Sequence, residues 1–445
     1  MHDLIRGTDI PTRRAFLTRM AGSLLGASAV ATGGPQALAH FLHHGPQDPQ
    51  DPKTSANPLV LGRASAKHVI YLFMRGGMSH IDTFDPKPGK STGGPTEALA
   101  TRADGVRIGS YFPKLAEQMD KVCLVSSLTS RQGAHSQAQY LMRTSFEQRG
   151  TIQHPSLGAW CHHLGGRHNP TLPGHVIVGG GSDMPGVGFF PPEFTPLPIG
   201  SAEDGLQNAA LPRGVDETRF QRRLQRLAEL DQAFGARQQQ RSVQSYSKAY
   251  GEAVALMRSS DLAAFDLDLE SAAMQAAYGN TPFGAGCLLA RRLVEHGVRY
   301  IEVVSDGWDT HADNFDRLGD LCPPIDQGLS ALLADLDARG LLQKTLVVLV
   351  SEFGRTPDID QDQGRNHSPK AFTGLLAGGG VRGGQRYGAT DAEGRDIVTE
   401  PTSIQDFNAT IAHACGIPTD YVLTSPSGRP FKVADKGSPL TSLFA

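Results

Sequence analysis

Six short apolar runs, each cut off by a polar loop rich in glycine, acid or histidine, constrain this chain more than any other feature. The first, Lys67 to Met74, reads KHVIYLFM and gives way at once to Arg75-Gly76-Gly77. Val122 to Val125, His175 to Val178, Arg299 to Val304 and Thr345 to Val350 follow the same pattern, and Phe372 to Ala377 ahead of Gly378-Gly379-Gly380 is the sixth. Continuous rather than alternating hydrophobicity over so few residues marks strands buried on both faces. Between the runs lie stretches of helical period: Leu288, Leu289, Leu293 and Val294 close on Gly297, and Leu329, Leu332, Leu333 and Leu336 precede Gly340. Strand and helix in alternation predict an α/β fold with a mostly parallel central sheet and helices on both faces. In open sheets of that kind, sites form at the carboxyl ends of the strands.

Composition narrows the class further. The 445 residues suffice for a large core, and 51 Gly with 29 Pro fall short of the roughly 25–30% expected of a low-complexity chain. Lys and Arg number 42 against 45 Asp and Glu, a net charge of −3, so nothing basic calls for a nucleic-acid partner. Arg13-Arg14 followed by a weakly apolar stretch from Met20 to Ala31 and by Ala37-Leu38-Ala39 resembles a twin-arginine export signal with its cleavage site. The apolar stretch is too short and too rich in Gly and Ser to span a bilayer, so no transmembrane segment is expected in the mature chain. The implied organisation is a signal peptide at 1–39, a proline-bearing flexible linker at 40–64, and one domain from 65 to 445. The resemblance also implies a periplasmic or extracellular location and folding in the cytosol before export, sometimes around a metal acquired there.

Glu217 to Ser259 lacks proline and sets Phe220, Leu224, Leu227 and Leu230 at helical spacing, which predicts a helical insertion at about 216–260. Its Arg219, Arg222, Arg223, Arg226, Arg237 and Arg241 form either an anion-binding surface or a solvated face. Cys123, Cys161, Cys287, Cys322 and Cys415 are scattered with no C-x-x-C pair, and read as small buried core residues with no disulfide framework.

Chemistry concentrates just after the apolar runs. The first leads into Gly76-Gly77-Met78-Ser79-His80-Ile81-Asp82, where His80 and Asp82 project from one side of an extended loop or Asp82 caps a turn. Arg299–Val304 leads into Gly307-Trp308-Asp309-Thr310-His311, with Trp308 a substrate platform or a packed wall. Thr345–Val350 leads into Ser351-Glu352-Phe353-Gly354-Arg355, and His367 follows a short loop later. A carboxylate at the tip of a central strand needs a cation or hydrogen bonds to offset its desolvation, and Arg355 could supply the cation as a structural ion pair. Three strand ends thus each deliver acid and imidazole: His80/Asp82, Asp309/His311 and Glu352/His367. A mixed N/O set suits zinc, manganese or iron better than an all-oxygen calcium cage, and six ligands are enough for a two-metal hydrolytic centre. After Val122–Val125, a helix beginning near His135 and Ser136 offers its amino end to an oxyanion, or is an ordinary Ser/Thr-rich cap.

Taken in order, GGMSHIDTFDPKP, HSQAQYLMRT, HPSLGAW, GWDTHADNF, SEFGRTP, GRNHSPKAF and LLAGGGVRGG resemble the exported bacterial family called domain of unknown function 1501, a relative of the alkaline phosphatase/sulfatase superfamily. The resemblance implies that superfamily's fold, one or two divalent ions (zinc, manganese, calcium or magnesium) and an anionic sulfate or phosphate ester as substrate. It implies metal ligands at Asp82, Asp309, His311, Glu352 and His367, with His80 an added candidate. Where sulfatases carry a Cys or Ser nucleophile this chain has His135, with Ser136 next to it, and Glu352-Phe353 stands where relatives have Asp-His. Metal-bound water or Ser136 is then the expected attacking group and Arg355 the group that steadies the anion. The rival readings are a non-catalytic binding protein that kept the fold, and a metal-dependent hydrolase of another ester or amide.

Overall fold

Every one of the six apolar runs becomes a strand of one sheet in the computed structural model, which describes residues 64–180, 186–211, 213–237 and 251–445. The signal peptide and all but the last residue of the linker lie outside the described residues. In chain order the sheet holds β1 (His68–Met74), β2 (Val122–Thr129), β3 (His175–Val178), β4 (Leu197–Ile199), β5 (Tyr300–Ser305), β6 (Thr345–Val350), β7 (Phe372–Gly378), β8 (Gln385–Tyr387) and β9 (Thr402–Ser403). The spatial order is β8-β2-β7-β6-β1-β5-β3-β4, with β9 also paired to β2. Pairing is parallel throughout except at β7, which runs antiparallel to both β6 and β2. The reason is local. The chain goes from β6 to β7 through a loop with no crossover helix, and only an antiparallel neighbour can be reached that way.

Side-chain alternation sorts β1 into two cores. Ile70, Leu72 and Met74 pack on one face, with residues of the helices Pro282–Glu295 and Asn314–Ala338; Val69, Tyr71 and Phe73 pack on the other, with α1 (His135–Thr144), α2 (Leu157–Gly165) and Ile404–Ala414. The helix Asn314–Ala338 contains Pro323 and Pro324, an internal cost of about 3 kcal/mol or more. It persists because Leu318, Cys322, Ile325, Leu329, Leu332, Leu333 and Leu336 are all buried, at roughly 1.5–3 kcal/mol for each large apolar side chain. Glu217–Arg237 is helical and so are residues 251–257; Arg219, Arg222, Arg223 and Arg226 are exposed on the first of these, while the Arg237 side chain and Arg241 lie outside the described residues. All five cysteines are buried thiols. No helix among the described residues is long and apolar enough to cross a membrane.

Candidate metal centre

The loops after β1, β2, β5 and β6 meet at the carboxyl edge of the sheet. Gly76 lets the loops after β1 and β5 fit together: its φ of +124° turns the chain back after β1, and a Cβ there would sit 2.4 Å from the Asp309 backbone nitrogen. The β1 loop and the β5 loop therefore touch backbone to backbone. Beyond β6, Gly354–Arg355 pairs antiparallel with His367–Ser368, which sets His367 directly across from Arg355. Trp308 is buried in the core with Leu318 and Cys322, so it is a wall and not a platform.

Asp309 is the hub. Its Oδ1 lies 3.1 Å from His311 Nε2 and 3.2 Å from His367 Nε2, and these two ring nitrogens are 3.0 Å apart. Its Oδ2 lies 3.2 Å from His135 Nε2. The opposite nitrogen of each ring is held by an acceptor: His135 Nδ1 by Glu352 Oε1 at 2.8 Å, His367 Nδ1 by the Gly133 carbonyl at 2.8 Å, and His311 Nδ1 by Asn366 Oδ1 at 3.2 Å. Carbonyl and carboxylate oxygens only accept, so Nδ1 carries the proton in each neutral ring and Nε2 is left with its lone pair. Three lone pairs and a carboxylate aimed at one another repel unless a cation lies among them. Fixing the outer ring nitrogen so that the inner one can ligate is how proteins orient metal-binding histidines. The buried His135 Nε2 points the same way, with only the Asp309 carboxylate set against it, at 3.2 Å. His135, Asp309 and His367 each bring a ligand atom within 4.8 Å of the others. The residues present thus fit a divalent ion, and an N/O set fits zinc, manganese or iron.

Electrostatics follows from these contacts. The Glu352 hydrogen bond, and then the charges of Glu352 and Asp309, raise the His135 pKa against the opposing effect of burial. Burial works to raise Asp309, but Arg355 beside it overrides burial and holds this carboxyl well below the usual range. Glu352 is likewise lowered despite its burial, by His135 and by the Gly76 amide, which donates to both its oxygens at 3.0 and 3.1 Å. For His367 burial prevails and the pKa falls.

The residues expected from the sequence divide into two groups. Asp309, His311 and His367 converge. Glu352 stands behind them, its oxygens taken by His135, Gly76 and Gln139 Nε2, the last at 3.2 Å. Asp82 faces elsewhere: Arg365 binds both its oxygens, at 2.7 and 2.8 Å, and both side chains are fully buried, with Asn314 adding a 3.0 Å bond. A guanidinium already neutralises that carboxylate. His80 is buried against the Gly394 carbonyl at 2.9 Å. Arg355 is fully buried and donates to the Gly77, Arg365 and Trp308 carbonyls and to Asp309, so it acts on the site through Asp309 and has no open face for an anion. Ser136 is exposed, its hydroxyl turned to Gln137 Oε1 at 3.3 Å. The first turn of α1 has no side-chain cap. Gln139, Asn366, Gly133, Arg317 and Arg365 were not singled out in the sequence. Gln139, four residues after His135 and so on the same helix face, was the one with a readable signal.

A mostly parallel α/β sheet, covered by helices on both faces and carrying an Asp/His cluster at its strand ends, defines the class. The chain belongs to the family described as "Protein of unknown function (DUF1501)", which matches residues 66–444. No curated protein sequence matches it. Solved structures with some similarity include PsFucS1 sulfatase from Pseudoalteromonas sp., 12% identical, covering 97% of this chain and 76% of that one with a TM-score of 0.38. The alkaline phosphatase from the Antarctic bacterium TAB5 is 14% identical over 72% of this chain and 94% of its own, with a TM-score of 0.32. BT1596, a 2-O GAG sulfatase, is 10% identical over 85% and 74%, with a TM-score of 0.41.

Proposed function

We propose that this protein is an exported metal-dependent hydrolase of sulfate or phosphate esters. The observation that supports it is the set of three imidazoles, each tied at Nδ1, whose Nε2 atoms gather round the Asp309 carboxylate. The ester class is the one the sequence motifs imply. Asp309 and His367, with His135 or His311 as the third donor, are the ligands, and Arg355 and Glu352 fix the groups around them. Three protein ligands leave a catalytic ion an open position. A divalent ion there supplies Lewis-acid polarisation of an ester oxygen. The chain's own contribution is orientation. Arg355 holds Asp309 from behind, Arg317 donates to the Asp309 and Gly307 carbonyls at 2.8 and 2.6 Å, and the uncapped amino end of α1 offers free amides to an anionic oxygen.

Protein purified without chelator should hold one divalent ion per chain and hydrolyse p-nitrophenyl sulfate or phosphate, with chelation removing both. Asp309→Ala and His311→Ala should lower metal content and thermal stability together, because ligand binding adds to the stability of the folded state. Folded protein that takes up neither zinc nor manganese would refute the reading. Metal without turnover would favour the non-catalytic rival, for which the outward-turned Ser136 speaks. Export is tested separately: Arg13→Lys with Arg14→Lys should hold the precursor in the cytosol.

A further inference from the structure

We propose that the helix Glu217–Arg237 carries a docking stripe for a linear sulfated polysaccharide, formed by Arg219, Arg222, Arg223 and Arg226. The choice of a sulfate-bearing partner rests on the hydrolytic reading above, whereas the stripe stands on its own geometry. The four arginines occupy positions i, i+3, i+4 and i+7, so at about 100° per residue they share one face of the helix, in three tiers about 5 Å apart. All four are exposed, and among the described residues no carboxylate pairs with any of their guanidiniums. Glu217, the acid of the first turn, is drawn away from them by Arg258, at 2.8 Å. The neighbouring face fixes the helix to the body of the protein. Phe220 is buried, with the Arg258 guanidinium 5.8 Å over its ring, and Leu224 and Leu227 are half-buried. In a chain of net charge −3, four unpaired guanidiniums held outward on one rigid face are a local concentration of positive charge.

Charge and shape choose the occupant. A single small ester engages one tier, and only a polyanion with regularly spaced charges engages all three at once. A helix that lies in a membrane surface must have its apolar side free to enter the lipid, and here that side is packed on the protein. Single-stranded nucleic acid is held by exposed aromatic rings set among the cations, and Phe220, the aromatic within the span of the stripe, is buried. The helix has no lysine. A guanidinium is the more weakly hydrated cation and binds oxyanions through a planar fork, which matches the singly charged, weakly hydrated sulfate monoester better than a phosphate monoester. Sulfate groups on successive sugar rings recur at close to the rise of one helical turn. A polymer held on the stripe stays at high local concentration while its esters are presented to the metal centre.

As-purified protein is titrated with heparin at a series of salt concentrations, beside two variants. One combines Arg219→Gln, Arg222→Gln, Arg223→Gln and Arg226→Gln; the other, of equal net charge, combines Lys90→Gln, Lys114→Gln, Arg149→Gln and Arg429→Gln at exposed positions elsewhere. The stripe variant should bind heparin about tenfold or more weakly at low salt, with a slope of log affinity against log salt shallower by about three, as loss of four charge contacts to a linear polyanion requires. The control should stay close to wild type. An equal loss in both variants, or no loss in the stripe variant, overturns the proposal. Tighter binding to phosphatidylserine vesicles or to single-stranded DNA than to heparin overturns it as well. The hydrolytic reading is judged separately, with p-nitrophenyl sulfate and p-nitrophenyl phosphate. Heparin binding lost only in the stripe variant supports the stripe even where neither ester turns over, and turnover with heparin binding equal in all three proteins overturns the stripe and leaves the hydrolytic reading standing.

Discussion

Two carboxylates that look alike in the sequence have opposite fates. Asp82 and Asp309 each follow an apolar strand and each stand two residues from a histidine, yet Asp309 faces three imidazoles and Asp82 faces a guanidinium. The difference lies at Arg365, which is 283 residues from Asp82 in the chain. No local pattern carries that information, so the ligand set could be read as a list of candidates but not sorted into those that meet and those that do not. His135 was legible as part of a helix start, while its attachment to Glu352, 217 residues away, was not. The Asp82–Arg365 pair yields a test that separates architecture from chemistry. Removing one member of a fully buried ion pair leaves the other charged and without its partner, at about 3–5 kcal/mol. Asp82→Ala should therefore lower unfolding free energy by that amount in urea titrations while the folded fraction keeps its metal. Asp82→Leu combined with Arg365→Met should recover most of the loss. If Asp82→Ala instead strips the metal at unchanged stability, Asp82 is a ligand after all.

Strands were the most legible elements because both of their faces are buried, which leaves a run of apolar residues with no polar interruption. β4, β8 and β9 escaped notice because each has only two or three residues, too few for any pattern to stand out from the surrounding loop. The direction of β7 was hidden for another reason: an apolar run reads the same in either direction, and only the missing crossover helix gives it away. Between elements, what counts is the fit of one loop on another. Gly76 holds Glu352 through its amide and also lets the Asp309 loop approach to a distance no side chain would permit. Gly76→Ala would add strain at a positive φ, of order 1–3 kcal/mol, and push Asp309 away from His311 and His367. Metal affinity should fall by about tenfold or more, in the range seen when the groups supporting a metal site are disturbed. Equilibrium competition with a chromogenic chelator measures it, and an unchanged affinity would mean that the two loops are not coupled.

At the scale of the whole molecule the two ends of the sheet hold histidines of opposite character. Those at the carboxyl edge face carboxylates and a proposed cation. At the amino edge His68, where β1 starts, and His175, where β3 starts, are buried with little to hold a charge, and His163 on α2 is enclosed by Phe190 and Phe194. Burial is the leading cause in all three and lowers the pKa of His68 and His163 to about 4 and that of His175 to about 3. An unfolded chain titrates these rings near 6.5. Each folded pKa is therefore depressed: above 6.5 both states are neutral, and below it the unfolded state binds protons that the folded state refuses. Stability must then fall as pH drops from about 6.5 toward 4, by up to roughly 1.4 kcal/mol per pH unit for each ring. Carboxylate titration enters mainly below that window, so the loss between pH 6.5 and 5 belongs chiefly to histidine. His175 offers the sharpest test. Neither of its ring nitrogens has a partner among the described residues, and the ring packs edge-on to Tyr300 at 4.9 Å. His175→Phe replaces an unpaired polar ring by an apolar one of similar shape, so it should cost little at pH 7. It should also reduce proton uptake on unfolding at pH 5 by about one proton, read from the slope of urea stability against pH on metal-free protein. An identical slope in wild type and variant would mean that His175 is already charged in the folded state, and that burial does not govern this edge of the sheet.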